Sequence, residues 1–380
     1  MNSKQRVEAT INHVEPDRVP VGEWGIDHDH VSKIIGRHTY WRNRKDTTLA
    51  LWDGRRDEVV ESMKADYAEL VDKLDYDIIT VETVPAKGHK VADPPRKTGK
   101  GTWEDSKGDI YKYAASNDSI SRITKHAGKE ELTDEDVEKA LKKIENIDDS
   151  VFELIDYFSD RYGDEKAILC RSIDIYTPLF QAFDGDFAHD LLLTLIAPDE
   201  IKRLYQVCYA YNQKVIDHCA GKNVMILMQG QDFGMNSGCI MSPDLIRDIF
   251  IPVMKEVNTR IVQKGMVPFY HCCGNIWDIM EDFVASGYKG YQSIQESASM
   301  DNSKVKQLYG DRLTMWTGVQ CETLVGGTLE DIETEVNRNL KLLMPGGGYI
   351  FGSTNSVQYG AKTENYLRAL DIVRKNGIYR

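Results

Sequence analysis

Lys264-Gly265-Met266-Val267-Pro268-Phe269-Tyr270-His271-Cys272-Cys273-Gly274-Asn275 closes one helix, runs through a short apolar strand and ends in polar residues. Residues two apart on a strand point the same way, so His271 and Cys273 are expected on one face and Cys272 on the other. Gly274 allows a sharp turn, and the spacing of Ile276, Ile279, Met280, Phe283 and Val284 predicts a helix after it. An imidazole and a thiol on one face are two candidate metal ligands; a packed strand end with a buried histidine accounts for the same residues.

The same order recurs on both sides of this segment. Helix 151–162 leads into strand 167–170 and then Arg171-Ser172-Ile173-Asp174; helix 198–220 leads into 224–228 and Gln229-Gly230-Gln231-Asp232. Helix 276–286 leads into 290–294 and Gln295-Glu296, and helix 303–309 into 313–318 and Val319-Gln320-Cys321. Helix 329–343 leads into 348–352 and Ser353-Thr354-Asn355. Two earlier strands, 21–25 carrying Glu23 and 76–81 followed by Glu82, bring the set to about eight, the count of a (β/α)8 barrel. Alternation at this spacing needs right-handed crossovers and a parallel sheet. The expected fold is therefore α/β, a (β/α)8 TIM barrel forming one domain over residues 1–380. N-terminal helices (2–14 and 46–74) precede an insertion at about 85–150, which holds a hairpin around Ser106-Lys107-Gly108 and a solvated acidic helix. Every polar cluster falls at the carboxyl end of a strand, the rim where such barrels carry their sites. Asp27-His28-Asp29-His30 could hold a metal or simply begin a solvated loop.

The net charge of -13 argues against nucleic acid and anionic membranes, both polyanions. No run approaches the roughly 18 apolar residues that span a bilayer, and the first residues lack a signal peptide's apolar core. A cytoplasmic protein is expected. Seven cysteines with no framework spacing suit free thiols in a reducing compartment, with Cys170, Cys208, Cys219 and Cys239 as packed residues.

The second half resembles the uroporphyrinogen decarboxylase superfamily, and within it the corrinoid-dependent methyltransferase branch. The likeness rests on Asp232-Phe233-Gly234, Ser242-Pro243, Pro252, His271-Cys272-Cys273-Gly274, Lys304 to Gly310, Gly318, Gly327-Thr328, Pro345-Gly346-Gly347-Gly348-Tyr349-Ile350 and Glu364-Asn365, across roughly residues 195 to 378. It too implies a (β/α)8 barrel. The porphyrin decarboxylases carry an arginine-bearing segment near the amino terminus; here that region reads Pro20-Val21-Gly22-Glu23-Trp24-Gly25-Ile26-Asp27, which would repel a polycarboxylate. Metal-free decarboxylation, with Arg171 as the cationic group, is the alternative. A barrel that only binds a ligand is a third possibility.

In the methyltransferase branch the resemblance implies a zinc held by His-x-Cys, matched by His271 and Cys273, and by a later cysteine after the last strand. This chain has Ser353-Thr354-Asn355-Ser356 there, leaving Asp232, Glu296 or Cys321 to complete a site. A carboxylate in place of a thiolate makes a more acidic metal, suited to polarising oxygen. The likeness then points to a substrate-side O-demethylase methyltransferase, moving methyl from a small methoxylated substrate, an aromatic methyl ether being the favoured class, to the cobalt(I) of a corrinoid. No cobalamin-binding Asp-x-His-x-x-Gly module is present in the sequence, so a separate corrinoid protein is the expected partner, with a homodimer also open. His271, Asp232 and Glu82 are the candidate catalytic residues; His271, Cys273 and Cys321 are the candidate metal ligands. Gln229, Gln295 and Asn355 are candidates to hydrogen-bond substrate, and Tyr176, Trp316 and Tyr349 to flank its ring.

Overall fold

The computed structural model describes residues 1–124, 131, 133–173 and 187–380. Seven parallel strands pair in chain order: β1 (Ile78–Val81), β2 (Ala167–Ile173), β3 (Val224–Gly230), β4 (Val267–Cys272), β5 (Gly290–Ser293), β6 (Thr314–Val319) and β7 (Tyr349–Ser353). Each coincides with a strand expected from the sequence, because each is a short β-favouring run bounded by turn residues. Ile78 of β1, Ala167 and Leu169 of β2, Ile226 and Met228 of β3, Phe269 of β4, Trp316 of β6 and Ile350 of β7 form one buried cluster. Strands that far apart in the order meet only if the sheet is curled, so this cluster fills its concave side. A second, larger cluster packs the convex side against the helices.

The expected strand at 21–25 is reduced to two bridges. Val21 pairs with Phe351 of β7 and Gly22 with Ile78 of β1, so one short segment lies between the two edge strands. Toward β7 the ladder stops because the Gly22 carbonyl accepts the Trp316 indole N–H at 3.1 Å, and toward β1 because Thr80 N–H turns to the Tyr67 hydroxyl at 3.1 Å. The architecture is thus a curled seven-stranded parallel sheet wrapped in helices.

Two helices expected to be continuous are broken. Gly54, at φ 73°, separates Arg44–Trp52 from Arg56–Lys73. Pro243–Ile249 and Ile251–Gln263 meet at Phe250, because Pro252 has no N–H to continue the first helix's hydrogen bonds and its ring crowds the preceding turn. Between β1 and β2 the chain forms a four-stranded antiparallel sheet, Arg96–Gly99, Thr102–Glu104, Ile110–Ala114 and Ser119–Arg122, which contains the expected hairpin. Among the described residues no helix is long and apolar enough to cross a membrane.

Candidate functional site

β4 delivers the site. His271 follows Phe269 on the concave face, and Cys272 points the other way, fully buried, where its sulfur accepts the Phe233 N–H at 3.3 Å. That contact straps the chain after β3 across the end of β4, helped by Gln231 N–H to the His271 carbonyl at 3.1 Å and Tyr270 hydroxyl to the Gln231 carbonyl at 2.7 Å. Asp232 is thereby brought over Cys273, whose N–H it accepts at 2.8 Å. The turn depends on two glycines: a Cβ on Gly274, at φ 77°, would stand 2.3 Å from the backbone of Gly234.

The ligand atoms of Asp232, His271 and Cys273 all lie within 4.8 Å of one another. The state of the imidazole follows from its neighbours. Gln292 Nε2 donates to the carbonyls of Ser353 at 2.9 Å and Asn355 at 3.1 Å, so its Oε1 is turned to His271 Nδ1. Nδ1 therefore carries the proton, and the Nε2 lone pair faces the Cys273 sulfur at 3.6 Å. Burial lowers the His271 pKa, and the charges of Arg171 and Arg42 act the same way against the pull of Asp232, so the ring is neutral. Burial and the Asp232 carboxylate push the Cys273 thiol up to about 12. Backbone strain sits beside this group: Ser293, at φ 113°, places its hydroxyl 3.6 Å from the Cys273 sulfur while donating to the Thr354 carbonyl at 2.6 Å.

This donor set fits a zinc-type ion. Two ligands bound about 2.0 and 2.3 Å from a tetrahedral ion stand roughly 3.5 Å apart, close to the observed nitrogen to sulfur distance. The Gln292 contact is the kind of outer hydrogen bond that holds a ligating imidazole in one tautomer. Of the three replacements considered for the missing thiolate, Asp232 is the one that joins the group. Glu296 is paired with Arg338. Cys321 lies 3.6 Å from the Ser356 carbonyl and outside the three-residue group, although it shares with Cys273, Gln295, Asn355 and Gln358 a cavity of about 190 Å³. Asn355, in the loop where the resemblance implies a cysteine, donates its amide to the Cys273 sulfur at 2.9 Å. Gln295 accepts the Gly274 N–H at 3.1 Å.

The other expected site residues that the structure describes are committed to contacts of their own. Gln229 is fully buried on the convex face, bonded to Asn258 at 2.8 Å, because its pleat parity is opposite to that of His271. Tyr349 is buried between sheet and helices for the same reason. Trp316 faces inward but is fully buried in the concave cluster, its indole committed to Gly22. Glu82 accepts from Arg171 at 2.6 Å. The Asp27 to His30 run is divided among separate partners: Asp27 accepts from Arg42 at 2.8 Å, and His30 lies between Thr363 and the Gln358 carbonyl. Asp174 and Tyr176 fall outside the described residues.

Trp24 was not foreseen, nor was the part played by Gln292. Trp24 stacks on His271 with ring centres 4.5 Å apart, and the guanidinium groups of Arg171 and Arg42 lie 4.5 and 5.2 Å from its own centre. Gln292 was visible as a lone amide in an apolar strand, two residues after Gly290. Trp24 carried no such signal, since its partner is distant in the chain.

A family model described as uroporphyrinogen decarboxylase (URO-D) matches residues 125–376. No curated protein matches. Among solved structures, a methyltransferase from Methanosarcina mazei superposes with a TM-score of 0.67 at 15% identity, covering 99% of this chain and 98% of that one. A 3-keto-D-glucoside 4-epimerase from E. coli gives 0.37 at 11% identity over 63% of this chain and 87% of its own.

Proposed function

The chain belongs to the uroporphyrinogen decarboxylase family, and within it we propose a methyltransferase that takes the methyl group of a small methoxylated substrate, an aromatic methyl ether being the favoured class, and passes it to a separate corrinoid protein. The observation that carries this reading is the inward-facing, neutral His271, with its free nitrogen toward Cys273 and Asp232. The likeness in fold to a methyltransferase supports it. We read the curled sheet, with the 21–22 segment between its edges, as the family's (β/α)8 barrel in a single domain carrying an insertion.

In such a transfer the carbon–oxygen bond breaks with its electron pair left on oxygen, while a cobalt(I) nucleophile supplied by the corrinoid forms the new bond to carbon. The oxide is a poor leaving group. A metal in this site would supply Lewis-acid stabilisation of that developing charge. Asp232, His271 and Cys273 would hold it, and Gln292 fixes the imidazole that does so. Asn355 and Gln295 border the adjoining cavity, where their amides can orient a hydroxyl or ether oxygen. At Gly230, level with His271 on the neighbouring strand, a Cβ would meet nothing within 4 Å, so space lies beside the imidazole.

Decarboxylation is the second reading, favoured by the family description and by Arg171 and Arg42 close to Trp24. Against it, both cations already face carboxylates, Glu82 and Asp27. Incubation with cobalt(I) cobalamin and a panel of methoxylated aromatics, methylamines and methyl thiols separates the two. Methylcobalamin absorbance rising with the aryl ethers is expected; carbon dioxide release from carboxylated substrates without methylcobalamin would establish the alternative.

A further inference from the structure

We propose that Glu23 is a positioning residue for His271, acting across the end of β7. It rests on His271 being the working imidazole of the site proposed above. Glu23 is 1% exposed, and its partners among the described residues, Ser353 and Tyr366, are uncharged. A carboxyl group so placed is costly unless something specific requires it.

The requirement is visible in the ladder. Phe351 N–H donates to the Pro20 carbonyl and Gly22 N–H to the Phe351 carbonyl, so the next bond in the series would run from Ser353 N–H to the Gly22 carbonyl. Trp316 has taken that carbonyl. The Glu23 carboxyl replaces it, accepting Ser353 N–H at 3.0 Å and the Ser353 hydroxyl at 2.6 Å. Ser353 is thereby fixed, and its own carbonyl receives Gln292 Nε2, which turns Gln292 Oε1 to His271 Nδ1. From the same turn Trp24, the next residue, reaches the imidazole face. Glu23 thus acts on one ring by two routes, setting its tautomer through Ser353 and Gln292 and its plane through Trp24. Burial pushes the carboxyl up to about 8, so at neutral pH it is an uncharged acid, a form that glutamine imitates.

The test compares Glu23→Ala, Glu23→Gln and Ser353→Ala with wild type. Nitrogen-15 spectra of histidine-labelled protein report the His271 tautomer directly, whether or not methyl transfer is the reaction. Wild type and Glu23→Gln should show a single Nδ1–H form; Glu23→Ala should show mixed tautomers and a kcat about 10- to 100-fold lower with little change in KM, the usual cost of losing an outer partner. Ser353→Ala, which keeps the backbone bond, should move the spectrum in the same direction by less, and it carries the test if Glu23→Ala does not fold. A single Nδ1–H tautomer in the folded alanine variants, or failure of Glu23→Gln to restore it, would overturn the proposal. If the spectra behave as expected while no variant or wild type transfers methyl, the positioning role stands and the assigned reaction falls.

Discussion

The ends of β3 and β4 look alike in sequence, Met228-Gln229-Gly230 against Tyr270-His271-Cys272, yet one supplies the site and the other a packing contact. The register pairs Tyr270 with Gln229 and His271 with Gly230. His271 therefore faces inward toward Gln292 and Cys273, while Gln229 is turned outward onto Asn258. The inward place on β3 is left to a glycine. A one-residue difference in parity separates an imidazole with an open neighbour from an amide held between sheet and helix.

Substitutions on the two strands should separate accordingly. Cys273→Ala should give the largest effect, lowering zinc affinity, measured by competition with a chromophoric chelator, by more than the roughly 10–100-fold typical of an outer partner. An unchanged affinity would remove Cys273 from the ligand set. Gly230→Leu fills the space beside His271 and should cut kcat/KM by up to about 10²-fold, through misplacement of substrate, without altering the melting temperature. Gln229→Ala leaves Asn258 without its donor, so the unfolding free energy should fall by about 1–3 kcal/mol while kcat per folded molecule stays the same. A loss of kcat instead would mean that the outward side chain reaches substrate after all.

A further difference lies in the stability profile. Glu23 has a folded pKa of about 8 against an ordinary 4.5, so the folded state keeps a proton that the unfolded chain releases. Stability from this group is present in full below the unfolded value and is lost as pH rises through about 8, at no more than about 1.4 kcal/mol per pH unit. In Glu23→Gln that slope should vanish, and thermal unfolding between pH 6 and 9 reads it. Parallel profiles for the two proteins would place the Glu23 titration elsewhere.

The seven paired strands could be read from the chain because each is an apolar run between a helix and a polar turn, and their parallel order follows from the crossovers. The 21–25 strand was legible as extended chain, but its truncation was not, since it depends on Trp316 claiming Gly22. His271 and Cys273 sharing a side was a matter of period alone. Gln229 and Tyr349 were misplaced because polarity or aromaticity at a strand end says nothing of inward or outward until the register is known. Trp24 and the strap that brings Asp232 to Cys273 are long-range contacts with no local pattern.

Methylcobalamin formation by zinc-supplemented His271→Ala, set against wild type at equal folded concentration, tests the central claim most directly. A fall of about 10²–10⁴ in rate, the fold-change that corresponds to several kcal/mol of Lewis-acid stabilisation lost with an imidazole ligand, is predicted, with the circular dichroism spectrum and melting temperature retained. Transfer at the wild-type rate would contradict it.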